Sequence, residues 1–254
     1  MLPTVRAPSI PFDPEREVAE LRAYLGEGYD HARLERYEAQ LEAELAELGD
    51  EQAFYRASEG YLYNLTAFAM TGTKLPYLGD LRRIVTPGAR LLDYGCGIGS
   101  DGLMLLEMGY RVEFADFDNP STRYLRWRLE RRGLDSTVHD LDAGAPPAGF
   151  DLAYAFDVIE HVPDPFAFLG AMEETAAIVL VNLLEPKQEE TELHHELPIR
   201  AILSRARGRG LVHYRRHHRS SHLVAYGVSD SARGLSQLRS RLALRAGVRR
   251  PAAR

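Results

Sequence analysis

The segment Leu91-Leu92-Asp93-Tyr94-Gly95-Cys96-Gly97-Ile98-Gly99-Ser100 carries more structural information than any other part of the chain. Its first half is a short apolar run of strand character. Its second half sets glycine at every other position, where a backbone can turn tightly and approach a ligand closely. Residues 101–108 then read as a helix, whose free N–H groups and positive dipole end face whatever the loop holds. Asp116 closes the next apolar run, 111–116, about twenty residues downstream, where a carboxylate can accept hydrogen bonds from both hydroxyls of a ribose. Ser100 stands where the dinucleotide fingerprint Gly-x-Gly-x-x-Gly would place its third glycine, which disfavours a pyrophosphate cofactor.

Downstream the alternation of strand and helix continues. Residues 89–94, 111–116, 151–156 and 177–183 read as strands, with a short one ending near His139 and Asp140; helices are expected over 121–132 and 198–205. This rhythm implies a doubly wound parallel α/β sheet with right-handed crossovers. Two runs, 211–216 and 222–226, are separated by polar residues including Ser220 and Ser221 and suit an antiparallel hairpin at one sheet edge. Residues 245–254 are expected to fray.

Upstream of residue 85 the pattern is helical. Asp13-Pro14-Glu15 offers an N-cap, a proline at the first helical position and an acid in the first turn. Leu34, Tyr37, Leu41, Leu45 and Leu48 recur at spacings of three and four as one apolar stripe, to be covered by the chain's own main domain or by a second copy in a homodimer. Phe54, Tyr55, Tyr61, Tyr63, Phe68 and Tyr77 then crowd one stretch, suited to a pocket lid or a core. The expected division is an N-terminal helical cap or lid over 1–84 and a sheet domain over 85–254.

Composition bounds the rest. The chain has 254 residues, 45% hydrophobic and 27% charged, as a globular fold requires. No apolar run nears the roughly 18 residues of a membrane span, and the N-terminal residues lack the apolar core of a signal peptide, so a cytoplasmic protein with no membrane partner is expected. A single cysteine, Cys96, excludes an internal disulfide and a multi-cysteine zinc site. The net charge of −6 hides a gradient: residues 201–254 hold 13 arginines against Asp230, giving +12, and the first 200 residues carry −18. The basic end reads as a solvated arginine-rich face or as a nucleic-acid footprint.

The residues LLDYGCGIG resemble the first motif of class I S-adenosylmethionine-dependent methyltransferases. Asp116 falls where their ribose-binding acid lies, and FDLAYAFDVIEHVPDP resembles their fourth-strand segment, especially that of the ubiquinone-biosynthesis O-methyltransferase branch and its small-molecule relatives. The resemblance covers roughly residues 85–228 and implies a Rossmann-like seven-stranded sheet with S-adenosyl-L-methionine as cofactor. It implies that Gly95, Gly97 and Gly99 pass under the methionine part and that Asp93 orients the loop or meets the amino group through water. Asp116 would clamp the ribose, Asp140 with the backbone near Leu141 would meet the adenine amino group, and Phe156 and Asp157 would lie beside the sulfonium. Cys96 is common inside this loop in the family and reads as packing, not as a nucleophile.

Methyl transfer is an in-line displacement in a dry pocket, and a hydroxyl acceptor gains from a base or a metal. Three candidate bases lie on loops after strands: His161 past the fourth, and His194 and His195 past the fifth. The resemblance also raises a divalent cation held by Asp157, Glu160 and His161. Tyr55, Tyr61, Tyr63 and Phe68 are the candidate acceptor-binding residues. The function expected is methyl transfer to a small-molecule acceptor, with oxygen favoured, in metabolite or natural-product biosynthesis. An RNA or peptide methyltransferase using the arginine-rich end and a non-catalytic partner protein of the same fold are the alternatives.

Overall fold

The computed structural model describes residues 9–49, 51–185 and 195–227. Elements are numbered in chain order. Helices α1 (Pro14–Leu25), α2 (His31–Glu35), α3 (Tyr37–Leu48), α4 (Glu51–Ala57), α5 (Gly60–Met70) and α6 (Leu75–Ile84) precede the sheet. Asp13 caps α1 as expected, its side chain accepting the Arg16 N–H at 3.0 Å with Pro14 in the first turn. The apolar stripe is divided where α2 ends at Glu35. Leu34 packs with Leu21, Leu62 and Tyr63, whereas Leu41 and Leu45 pack with Phe54 and Tyr61, so the chain's own helices cover both parts.

The sheet follows: β1 (Arg90–Tyr94), α7 (Ser100–Glu107), β2 (Arg111–Asp116), α8 (Pro120–Arg132), β3 (Val138–Asp140), β4 (Phe150–Ala155), α9 (Pro165–Thr175), β5 (Ala176–Leu184), α10 (Ile199–Arg209), β6 (Leu211–His217) and β7 (Ser221–Gly227). Strand order is β3-β2-β1-β4-β5-β7-β6, with β7 antiparallel to both its neighbours and the other pairings parallel. The expected edge hairpin is thus present, with β7 inserted between β5 and β6. Helix α10 runs to Arg209, beyond the expected end at 205, because Gly210 (φ 112) supplies its left-handed C-cap.

Both sheet faces are covered, which is why the strands are nearly continuous apolar runs. Leu91, Phe114, Leu152 and Leu180 face the core under α6, α7 and α8; Leu92, Ala115, Ala153 and Val181 face the core under α9 and α10. Strands run outward from β1 toward β3 and from β4 toward β5, so the order reverses between β1 and β4. Open α/β sheets bind their ligands at the strand ends beside such a reversal.

Candidate active site

A cavity of about 500 Å³ opens there, walled by the ends of β1, β2 and β4 and by residues of α4, α5 and the segment before α6. Gly95 (φ 76) and Gly97 (φ 51) line it in the left-handed conformation. The N–H groups of Gly95 and Cys96 both donate to the Ala115 carbonyl, at 2.8 and 3.2 Å, which ties the loop to β2. A Cβ at Gly95 would lie 2.6 Å from Val158 Cγ1, and one at Gly97 would lie 3.2 Å from Leu65 Cδ1. Glycine is therefore needed for both space and backbone angle. Gly99 departs from expectation: it is off the cavity, caps α7 at φ 71, and its missing side chain makes room for Leu125 of α8. Cys96 lines the cavity, and burial pushes its thiol well up, so it stays protonated and packs.

Asp116 is where the ribose clamp was expected. Its Oδ2 accepts the Gly97 N–H and its Oδ1 the Phe117 N–H, each at 2.8 Å. A carboxylate has about four acceptor positions, so two remain for a pair of hydroxyls. Burial lifts this carboxyl above its ordinary value against the pull of the two N–H groups. Leu141 lines the cavity, its N–H bonded to the Asp116 carbonyl at 3.0 Å. Asp140 does not line it; its Oδ1 accepts the Asp142 N–H at 2.9 Å and closes the turn after β3. Asp93 also lies behind the wall, 5% exposed, and burial together with the neighbouring Asp101 pushes its carboxyl up to about 8.

At the end of β4, Phe156 and Asp157 line the cavity. Asp157 holds φ 55, a conformation that costs a non-glycine residue free energy and marks a local constraint. That constraint is Asn182 of β5: its Oδ1 accepts the Asp157 N–H at 2.7 Å and its Nδ2 donates to Asp157 Oδ1 at 2.6 Å. Asp157 Oδ2 is left buried with no hydrogen-bond partner. Asn182 was not singled out from sequence, although a lone asparagine inside the apolar run of β5 was the available signal.

His161 lines the cavity, with Nδ1 3.0 Å from the Tyr55 hydroxyl and the two rings edge to face. His195 does not reach it: the residue is exposed, and its backbone N–H donates to the Glu160 carbonyl at 2.8 Å. His194 lies outside the described residues. Tyr55, Tyr61 and Phe68 line the wall, but Tyr63 is a core residue, 2% exposed, whose hydroxyl accepts the Asp30 N–H at 2.9 Å. The expected metal set does not assemble. Among the described residues no group of three or more His, Cys, Asp and Glu side chains is placed to hold a metal ion, and Glu160 is buried away from the cavity wall.

Lys74 was also not singled out as a site residue. Its Nζ lies 3.3 Å from Asp101 Oδ2 and 5.5 Å from the Phe68 ring centre, on the cavity wall. Burial works against its charge, but Asp101, Asp157 and Asp93 outweigh that and hold its pKa above the ordinary value. Asp101, Asp116 and Asp157 thus line the cavity against one lysine. That excess of acids favours a cationic guest over an anionic one.

A family model described as a methyltransferase domain matches residues 29–222. A ubiquinone biosynthesis O-methyltransferase from Xanthomonas campestris pv. campestris is 31% identical over 108 residues, 41% of this chain and 44% of that protein. One of the same name from Paramagnetospirillum magneticum is 36% identical over 88 residues, 33% of this chain and 34% of that protein. The chain thus matches less than half the length of these curated relatives. Among solved structures, TehB from Haemophilus influenzae superposes with a TM-score of 0.50 at 16% identity, over 61% of this chain and 62% of that one, which speaks to the fold alone. With the model spanning most of the sequence and the glycine loop, Asp116 and the β1–β4 cleft in place, the chain belongs to the methyltransferase-domain family of S-adenosylmethionine-dependent enzymes.

Proposed function

We propose that the chain transfers a methyl group from S-adenosyl-L-methionine to a hydroxyl of a small molecule. The observation that carries the cofactor reading is the Asp116 carboxylate, held by two backbone N–H groups beside a glycine loop that has no room for a side chain. Those residues fit the group: two acceptor positions remain for ribose hydroxyls, and the acid-rich wall suits a sulfonium. When bound, the sulfonium supplies an electrophilic methyl carbon and leaves as a neutral thioether. The chain's task is to hold the acceptor in line and exclude water. Asn182 fixes Asp157 at the end of β4, and Tyr55 orients His161 on the cavity wall, where its imidazole can hold or receive the hydroxyl proton. Helices α4 and α5 serve as a cap over the cavity, and aromatic Tyr55, Tyr61 and Phe68 suit a flat or partly apolar acceptor.

Oxygen as the methylated atom draws support from the relatives' names and from His161 on the cavity wall, a base that a hydroxyl acceptor uses and a neutral amine does not need. A cavity of about 500 Å³ with aromatic walls supports a small molecule over RNA, and no helix among the described residues is long and apolar enough to cross a membrane. Calorimetry with S-adenosylhomocysteine tests the cofactor reading. Asp116→Ala should weaken binding by about 1–3 kcal/mol, and unchanged affinity would remove the assignment. Tritiated-methyl transfer to phenolic and amine panels then tests the acceptor; turnover confined to amines or RNA would overturn the hydroxyl reading.

A further inference from the structure

Two consecutive residues of α4 reach to opposite sides of the cavity mouth. Tyr55 bonds His161 in the segment after β4. Arg56 points the other way, to the loops after β2 and β3. Its guanidinium grips both oxygens of Asp142, with Nη2 2.9 Å from Oδ1, and lies 4.5 Å from the centre of the Phe117 ring. Phe117 is 37% exposed, an uncommon position for a large apolar side chain, and it follows Asp116 directly on the cavity wall. Asp142 is held in turn by Asp140, whose carboxylate accepts its N–H. Asp140, which does not touch the cavity, therefore has a second-hand route to it through Asp142, Arg56 and Phe117.

We propose that Arg56 is a positioning residue for the cofactor: by clamping Phe117 and Asp142 beneath α4 it fastens the cap over the ribose end of the cavity and slows cofactor release. The inference rests on the cofactor reading above. The clamp is built to open. Its ion pair is 44% and 42% exposed, so it is screened by salt and contributes little to folding. Its cation–ring contact lies at the surface. A planar, bidentate guanidinium is required for both at once, which an ammonium cannot reproduce. Bound cofactor and closed α4 then stabilise each other, because Phe117 belongs to both the wall and the clamp.

Stopped-flow release of S-adenosylhomocysteine from the full chain tests this. Arg56→Ala should release the product about fivefold faster than wild type, the loss expected from one exposed cation–π contact and one exposed ion pair, with an unchanged melting temperature. Arg56→Lys should behave nearly as Arg56→Ala, and Asp142→Asn should give an intermediate rate. Raising salt should accelerate wild-type release and leave Arg56→Ala unaffected. If wild type binds the product but all three variants release it at the wild-type rate, the clamp is refuted and the cofactor reading stands. If wild type does not bind it, the cofactor reading itself fails.

Discussion

Replacing Arg128 with alanine should destabilise the fold strongly. Arg128 lies on α8 and is 0% exposed. It donates through Nε to Glu20 at 2.8 Å and through Nη2 to Glu17, both on α1, and through Nη1 to the Ile98 carbonyl at 2.8 Å and Ser100 Oγ at 2.9 Å. Glu17 and Glu20 are themselves 8% and 4% exposed. Breaking a buried pair by removing one partner costs about 3–5 kcal/mol, since the other charge stays behind uncompensated. Arg132 still bonds Glu20 at 2.7 Å and stands 3.6 Å from Glu17, which places the loss near the lower end, about 3 kcal/mol. For a chain of this length that is roughly a 6–12 °C fall in melting temperature. Urea unfolding of Arg128→Ala beside the triple variant Arg128→Met, Glu17→Leu, Glu20→Met separates the terms. The triple should recover most of the loss, because apolar groups of similar volume strand no carboxylate and Arg132 keeps Glu107 at 3.1 Å. A loss under about 1 kcal/mol in Arg128→Ala, or a triple no better than the single, would refute the buried-charge account.

Asn182→Ala should lower turnover by about tenfold or more while leaving cofactor affinity close to wild type, read as a kcat change at constant KM for the cofactor, because it frees Asp157 from its constrained backbone. Asp93 has a folded pKa of about 8 against an unfolded value of about 3.9, so the folded state holds the extra proton and stability declines as pH rises through that window. Asp93→Asn should flatten this decline in urea midpoints between about pH 5 and 8; an unchanged slope would assign it elsewhere. His217 is pushed below its ordinary value by burial, despite Asp80 at 2.9 Å, with Arg215 and His218 opposing its charge and His213 and Arg83 sharing Asp80. Its contribution to stability is therefore present above about pH 6.5 and lost as pH falls through the lower folded value, and His217→Gln should reduce the acid slope in thermal melts.

The parts of the molecule that the sequence made legible are those where local chemistry and function coincide. Gly95, Gly97 and Asp116 needed only a strand, a turn and a second strand to be placed, and each sits within the β1–β2 unit. The parallel, doubly wound character of β1 to β5 followed from the alternation of strand and helix, and their order is a finding of the structure. Gly99 shows where this reasoning stops: its motif position is right, yet its glycine serves the packing of Leu125 from α8. Asp140 is off the cavity wall, and a carboxylate two residues before another amide closes a turn as readily as it binds a ligand. The partners of Lys74 and Asn182 lay hidden because they are 27 and 25 residues away, Asp101 and Asp157; the lone asparagine in apolar β5 marks a buried polar group but not what it bonds. The apolar stripe was misjudged as one surface because the break between α2 and α3 changes which core each leucine meets.

Ser100 joins the two halves of the chain. At that position a glycine would suit a pyrophosphate loop, and the serine was evidence only against one. In the structure its hydroxyl donates to Glu17 at 2.7 Å and accepts from Arg128, so the first residue of α7 is bonded to both α1 and α8. Arg128 also holds the carbonyl of Ile98, one residue beyond Gly97 on the cavity wall. The glycine loop is therefore anchored from behind by the N-terminal helices, while in front Tyr55 lines the cavity and Arg56 lies over Phe117 of its wall. Ser100→Gly should leave Glu17 and Arg128 each short of a buried partner and cost about 1–3 kcal/mol. If the anchor sets the loop's shape, the same variant should weaken S-adenosylhomocysteine binding. If the variant loses stability and binds the product as wild type does, the N-terminal helices support the fold without shaping the site.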